Sequence, residues 1–187
     1  MLKISWISDF RKTSGFTLIE LLVVIGVLGI LAAGLLATID PLEQFRKGAD
    51  SNRKTTALEL NNALTRYYAV HSVYPWNDTA VGGSECMGVG VVPNATLVSQ
   101  QSGASAFDPC LTQLVSEGEL KSTFSTQYGI LSRLSVTDTT VGTAKSAVVC
   151  FDPESKSESL RPETKYTIAG VASCDPQASS TCYWCAQ

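Results

Sequence analysis

The sequence is short of histidine, of charge and of any basic excess. A single histidine, His71, excludes a multi-histidine metal centre and leaves little room for a histidine-dependent triad. Charged residues make up 17% of 187 positions and apolar residues 44%, which excludes wholesale disorder. Fourteen lysines and arginines face 17 acids, for a net charge of −3, so no basic surplus exists for generic nucleic-acid binding. No cysteine precedes residue 86, and there is no phosphate-cradling glycine loop, nucleophile elbow or His-Glu-x-x-His helix. These absences make a soluble cytosolic enzyme a poor fit, and no cofactor and no nucleic-acid partner is expected.

What is present is unevenly placed. From Phe16 to Ile39 run 24 residues whose one charge is Glu20, and from Leu21 to Ile39 there is no charge at all. As a helix the 24 residues reach about 36 Å, enough for a hydrocarbon core of about 30 Å. The helix of a small soluble core would keep a polar face, and this one has none. A basic stretch with Lys3, Arg11 and Lys12 precedes it, ending at Ser14-Gly15. A secretory signal places its small-residue cleavage site after the apolar segment; here the junction lies before it, so cutting there leaves the apolar helix as the new N-terminus. Lys and Arg flank the span on both sides, with Arg46, Lys47, Arg53 and Lys54 following it, and the positive-inside rule does not set the orientation.

Gly15-Phe16-Thr17-Leu18-Ile19-Glu20 followed by an apolar helix resembles the class III leader of bacterial type IV prepilins and type II secretion pseudopilins. The close match covers about Lys12 to Leu36. The resemblance implies that a prepilin peptidase cuts between Gly15 and Phe16 and that Phe16 is N-methylated. It makes Glu20 the acidic fifth residue of the mature chain, paired in a filament with the ammonium of a neighbouring Phe16. A carboxylate deep in a bilayer costs about 2.5–3.5 kcal/mol, so either such a pairing or a reach to the headgroups is needed. Gly26, Gly29, Ala33 and Ala37 fall on one helical face and are candidates for close helix packing.

The resemblance also implies the partners: identical and other pilin-like subunits, the inner-membrane assembly platform, and lipid before assembly. It implies a cytoplasmic leader, an extracytoplasmic head, and a filament outside the cytoplasm.

Asp40-Pro41-Leu42-Glu43 reads as a helix start, with Asp40 as cap and Glu43 closing a capping box. Leu42, Phe45, Ala49, Ala57, Leu60, Leu64 and Tyr67 or Tyr68 recur at helical spacing, while Asp50 to Thr56 is polar throughout. The pattern predicts a stalk whose middle faces water, ending near Tyr74-Pro75. His71, with no acidic or cysteine neighbour in sequence, reads as structural or exposed. From Asn77 onward short strands are expected over 127–136, 144–152 and 165–172, with a helix over 109–121 and a long loop over 82–106. Asp138, Asp152, Glu154 and Asp175 fall in expected loops but match no EF-hand spacing. Sequons at Asn77 and Asn94 arise readily by chance. The whole is predicted as α+β and pilin-like. Residues 1–15 are a cleaved leader, 16–39 a transmembrane and polymerisation helix, 40–76 an amphipathic helix, and 77–187 a disulfide-tied head with a small antiparallel sheet.

The cysteines at 86, 110, 150, 174, 182 and 185 all follow the span, in even number, and read as disulfides of an oxidising compartment. Cys86 with Cys110 would staple the long loop, and Cys150 with Cys174, Cys182 or Cys185 would tie down the C-terminal segment. Six cysteines allow fifteen connectivities, and spacing does not choose among them. Many pilins clamp a C-terminal loop in this way. Two other readings use the same residues. Cys182-Tyr183-Trp184-Cys185 has the spacing of a redox pair, which would make the protein a membrane-anchored thiol oxidoreductase, although no strand–helix context surrounds it. Zinc held by Cys150, Cys174, Cys182 and Cys185 would rest on a single C-x2-C pair, and no metal is expected.

Overall fold

The computed structural model describes residues 15–38, 40–78, 86, 96–98, 107–141, 144–178 and 181–187. The basic leader, most of the loop over 82–106 and Asn94 lie outside the described residues. The chain divides into two units, residues 1–41 and 42–187.

The first unit carries helix α1, Leu18–Thr38, with no polar face. Over Leu18–Leu36 it is long and apolar enough to cross a membrane, and none of that stretch is buried in the chain's own interior. Among the described residues of the unit its side chains have nothing to pack on.

The second unit opens with helix α2, Pro41–His71. Helix is interrupted at Asp40, and Pro41, whose missing N–H costs nothing at a first helical position, starts the new run. Ala57, Leu60, Ala63, Leu64 and Tyr67 line the buried face, all fully inaccessible. They pack into one cluster with Trp76, Phe107, Leu111, Leu114, Phe124, Leu131, Leu134, Val136, Val149, Phe151 and Trp184. Each large apolar side chain among them supplies about 1.5–3 kcal/mol.

The sheet has four antiparallel strands in the order β1 (Thr96–Leu97), β2 (Leu134–Val141), β3 (Ala144–Phe151) and β4 (Trp184–Ala186). Strand β3 is apolar on both faces. Ala147, Val149 and Phe151 join the α2 cluster, whereas Val148 and Cys150 pack with Cys185, Tyr166 and Tyr183 on the other side. A strand covered on both sides reads as a continuous apolar run, which is why AVVCF does not alternate.

The head's elements depart from expectation in three places. The strand over 127–136 is shorter at its start: Tyr128–Leu131 forms the short helix α4, and β2 begins at Leu134. The segment 165–172, rich in Tyr, Thr, Ile and Val, is not a strand. Tyr166 makes a single bridge to Tyr183, and the chain then reverses through a turn at Gly170, whose φ of +73° suits glycine. Helix α3, Asp108–Ser116, stops short of 121 because Gly118 takes φ +77°. The N–H groups of Glu119 and Leu120 fold back onto the Leu114 carbonyl. One more helix, α5, spans Lys156–Ser159, with Ser155 as its cap accepting from the Glu158 N–H.

Candidate functional site

Gly15 and Phe16 lie just before α1, both exposed, Phe16 at 80%. Thr17 and Glu20 form the first turn. The Glu20 carboxylate accepts from both the backbone N–H and the hydroxyl of Thr17 at 2.8 Å, and the Thr17 hydroxyl accepts from the Glu20 N–H at 3.3 Å. This is a reciprocal capping box, T-x-x-E, that the sequence carried and that the membrane-charge argument passed over. It satisfies two orphan N–H groups and holds the carboxylate at the head of an apolar helix. Gly26, Gly29 and Ala33 lie on exposed α1 and Ala37 within the same helix. A Cβ added at Gly26 or Gly29 meets nothing within 4 Å.

The polar run 50–56 faces water on one side only: Ser51, Asn52 and Thr55 are exposed, while the other side turns inward. Asp50, Arg53 and Thr56 are buried, Asp50 to 2% exposure. The reason lies 100 residues on. The Arg53 guanidinium donates to Asp50 at 2.9 Å and to Glu154 at 2.9 Å, while the N–H groups of Glu154 and Ser155 donate to the two Asp50 oxygens at 3.1 and 2.8 Å. Farther toward the start of α2, the Glu43 carboxylate accepts from the Ser157 N–H at 3.2 Å. Lys54 adds a bond to Glu158 and lies 4.8 Å from the centroid of the Trp184 ring. The loop after β3 is thus gripped by α2 through polar contacts.

Asp152 flanks this grip on the surface. Partial burial, and then the charges of Asp50 and Glu154, raise its pKa, against the weaker pull of Arg133 and Arg53. Folding therefore disfavours its charged form, and stability falls as pH rises from the unfolded carboxylate value of about 3.9 through the raised folded one. Asp152→Asn is expected to raise the melting temperature at pH 7 by about 1–2 °C, a small gain because the group is solvent-screened. The gain should vanish below about pH 4, which a melting series against pH will show.

His71 is not without acidic neighbours. Its Nδ1 lies 3.3 Å from Asp78 and its Nε2 3.9 Å from Glu117, and it stacks on Tyr67 at 4.1 Å. The Tyr67 hydroxyl donates to Asp78 at 2.7 Å; burial, and then this acid, push its pKa up. The cluster closes the end of α2 onto the head. Of the four acids set aside as loop residues, Asp138 lies in β2 opposite Ala147.

The structure joins Cys86 to Cys110, Cys150 to Cys185 and Cys174 to Cys182. Cys182 and Cys185 are therefore not bonded to each other, which removes the geometry of a C-x-x-C redox pair. All four sulfurs of the zinc reading are consumed in bridges. Cys150 and Cys185 sit directly opposite each other in the β3–β4 register.

The family model described as the prokaryotic N-terminal methylation motif matches residues 10–36. Over 68 residues the chain is 40% identical to the type II secretion system core protein G of Vibrio cholerae serotype O1, covering 36% of this chain and 45% of that protein. Over 69 residues it is 36% identical to a fimbrial protein of Neisseria meningitidis serogroup B, covering 36% of this chain and 39% of that protein. The chain spans less than half the length of these curated relatives. No solved structure matches it.

Proposed function

We propose that this chain, a member of the type IV pilin and pseudopilin family by its N-terminal methylation motif, is the precursor of a structural subunit of a type IV pilus or type II secretion pseudopilus. The observation that carries the reading is α1: an apolar helix headed by the motif and wholly unburied by its own chain. Such a surface needs lipid or other helices, and a subunit that moves from one to the other polymerises through it.

The steps follow from the residues. Prepilin peptidase cuts between Gly15 and Phe16 and methylates Phe16. The freed ammonium is the one cation made at the apolar end of the helix. In the precursor, Glu20 is occupied by Thr17. In a filament Glu20 meets the Phe16 ammonium of a neighbouring subunit, because either charge left alone in a dry bundle is costly. Gly26, Gly29, Ala33 and Ala37 let neighbouring backbones approach. An inner-membrane assembly platform extracts the processed subunit from lipid, and the head stays outside the cytoplasm, where its disulfides persist.

Mass spectrometry of the protein purified from its host's envelope tests the first step. A chain beginning at N-methylated Phe16 is expected, and an intact Met1 in the presence of the peptidase would overturn the reading. Gly29→Leu tests the small-residue face. The open space at Gly29 means the head's melting temperature should stay within about 1 °C of the parent, while filament yield falls at least tenfold by electron microscopy. Unchanged filament yield would remove the small-residue face from the mechanism.

A further inference from the structure

A polar cleft of about 370 Å³ lies between α2 and the turn after β3, lined by Lys47, Ser51 and Lys54 on one side and by Ser157, Glu158 and Arg161 on the other, with Asp50 and Ser155 at its base. The charge within it is unbalanced in a specific way. The two acids have their acceptor oxygens engaged: Asp50 takes Arg53 and two backbone N–H groups, and Glu158 takes Lys54 at 3.2 Å and Arg161 at 3.2 Å, one on each oxygen. The cations keep donors to spare. Lys54 uses one ammonium hydrogen on Glu158, Arg161 uses its Nε, and among the described residues the Lys47 ammonium meets no acceptor. The Ser51 and Ser157 hydroxyls add neutral donors at the rim.

Three cationic side chains and two serine hydroxyls lining one cleft suit an anion with oxygens on several sides. A planar carboxylate is served by one guanidinium fork, whereas a tetrahedral phosphate draws on several separate donors. We infer that this cleft is a binding site for a phosphate group, carried by a phospholipid headgroup or free in solution. The chain's own layout favours the lipid. Lys47 follows Thr38, the last residue of α1, by nine residues, so the cleft's first cation is tethered within about 32 Å of the end of the membrane-spanning helix. A phosphate held there would secure the second unit at the bilayer surface before assembly, and its release would accompany departure from lipid.

The test uses the full chain. In uncharged detergent micelles, isothermal titration with sodium phosphate is compared with sodium chloride at equal ionic strength, and the titration is repeated on K47Q, R161Q and the surface control K121Q. Phosphate is expected to saturate one site, with affinity reduced about tenfold or more in K47Q and R161Q and unchanged in K121Q. Arg161→Lys, which keeps the charge, is expected to recover part of the loss, and equal head melting temperatures establish that the variants are folded.

Nanodiscs then separate the sources. A shift in tryptophan fluorescence in phospholipid discs relative to uncharged detergent micelles, lost in K47Q, assigns the site to lipid. Phosphate binding with no such shift assigns it to a free anion. No saturable phosphate binding, or binding equal in K47Q, R161Q and K121Q, overturns the inference. The filament reading does not depend on this result, since it is tested at Phe16 and Gly29.

Discussion

Asp50→Ala is expected to lower the stability of the head by about 3–5 kcal/mol, a fall in melting temperature of roughly 6–20 °C. The size follows from what the substitution leaves behind. Arg53, 7% exposed, would keep its charge with one acceptor fewer, and the N–H groups of Glu154 and of the buried Ser155 would lose theirs. A removed partner costs more than the intact pair contributes, because the surviving charge stays desolvated. Asp50→Asn keeps one carbonyl acceptor and should cost about half as much. Trp76 and Trp184, both buried in the head, report the transition by fluorescence. If Asp50→Ala costs no more than an exposed ion pair, under about 1 kcal/mol, then the polar grip contributes nothing and α2 is held by its apolar face alone.

The second large effect concerns the bridges, and here loop length decides the order. Replacing Cys150 and Cys185 by alanine opens a ring of sequence separation 35, and the chain-entropy estimate for that loss is about 3.8 kcal/mol. Opening the ring of separation 8 between Cys174 and Cys182 is expected to cost about 2.5 kcal/mol. The larger ring also encloses the Asp50-gripped turn at 154–155, so losing it frees the loop that α2 must hold. Urea melts of the two double-alanine variants, monitored by the same tryptophans, check the ranking. An equal or inverted order would mean that reduced chains retain structure around β3 and β4 and that the entropic account fails here.

The coarse layout was legible because it is written in long, strongly biased segments. Phe16 to Ile39 has one charge in 24 positions, and no short-range detail alters what such a helix is. The buried face of α2 was legible in its C-terminal half, where Ala57, Leu60, Leu64 and Tyr67 keep helical spacing over three turns, whereas Leu42 and Phe45 of the same pattern stay exposed. The run from Asp50 to Thr56 was misread on one side, at Asp50, Arg53 and Thr56, because polarity was equated with exposure. Its partners, Glu154 and Ser155, are more than 100 residues away, and no local window contains them.

Segment 165–172 failed by composition. Its strand-like residues are there, but Gly170 at positive φ turns the chain before a ladder can form. At Glu20 the signal was present and unused: a threonine three residues earlier marks a capping box, which local hydrogen bonding settles without reference to the membrane. His71 found its acids only through folding, Asp78 from the segment beyond α2 and Glu117 from the end of α3.

The cross-strand bridge at Cys150 and Cys185 has a mechanical consequence. In the proposed filament the subunit would be tugged, and a tug on the backbone runs along whatever covalent path is shortest. With the two sulfurs joined, the stretch between them is bypassed: about 120 Å of contour never comes under load, whatever happens to the strands on either side. The turn that holds α2 sits inside that shielded stretch. The head can therefore give at its periphery and spring back while its attachment to the helix stays slack and intact.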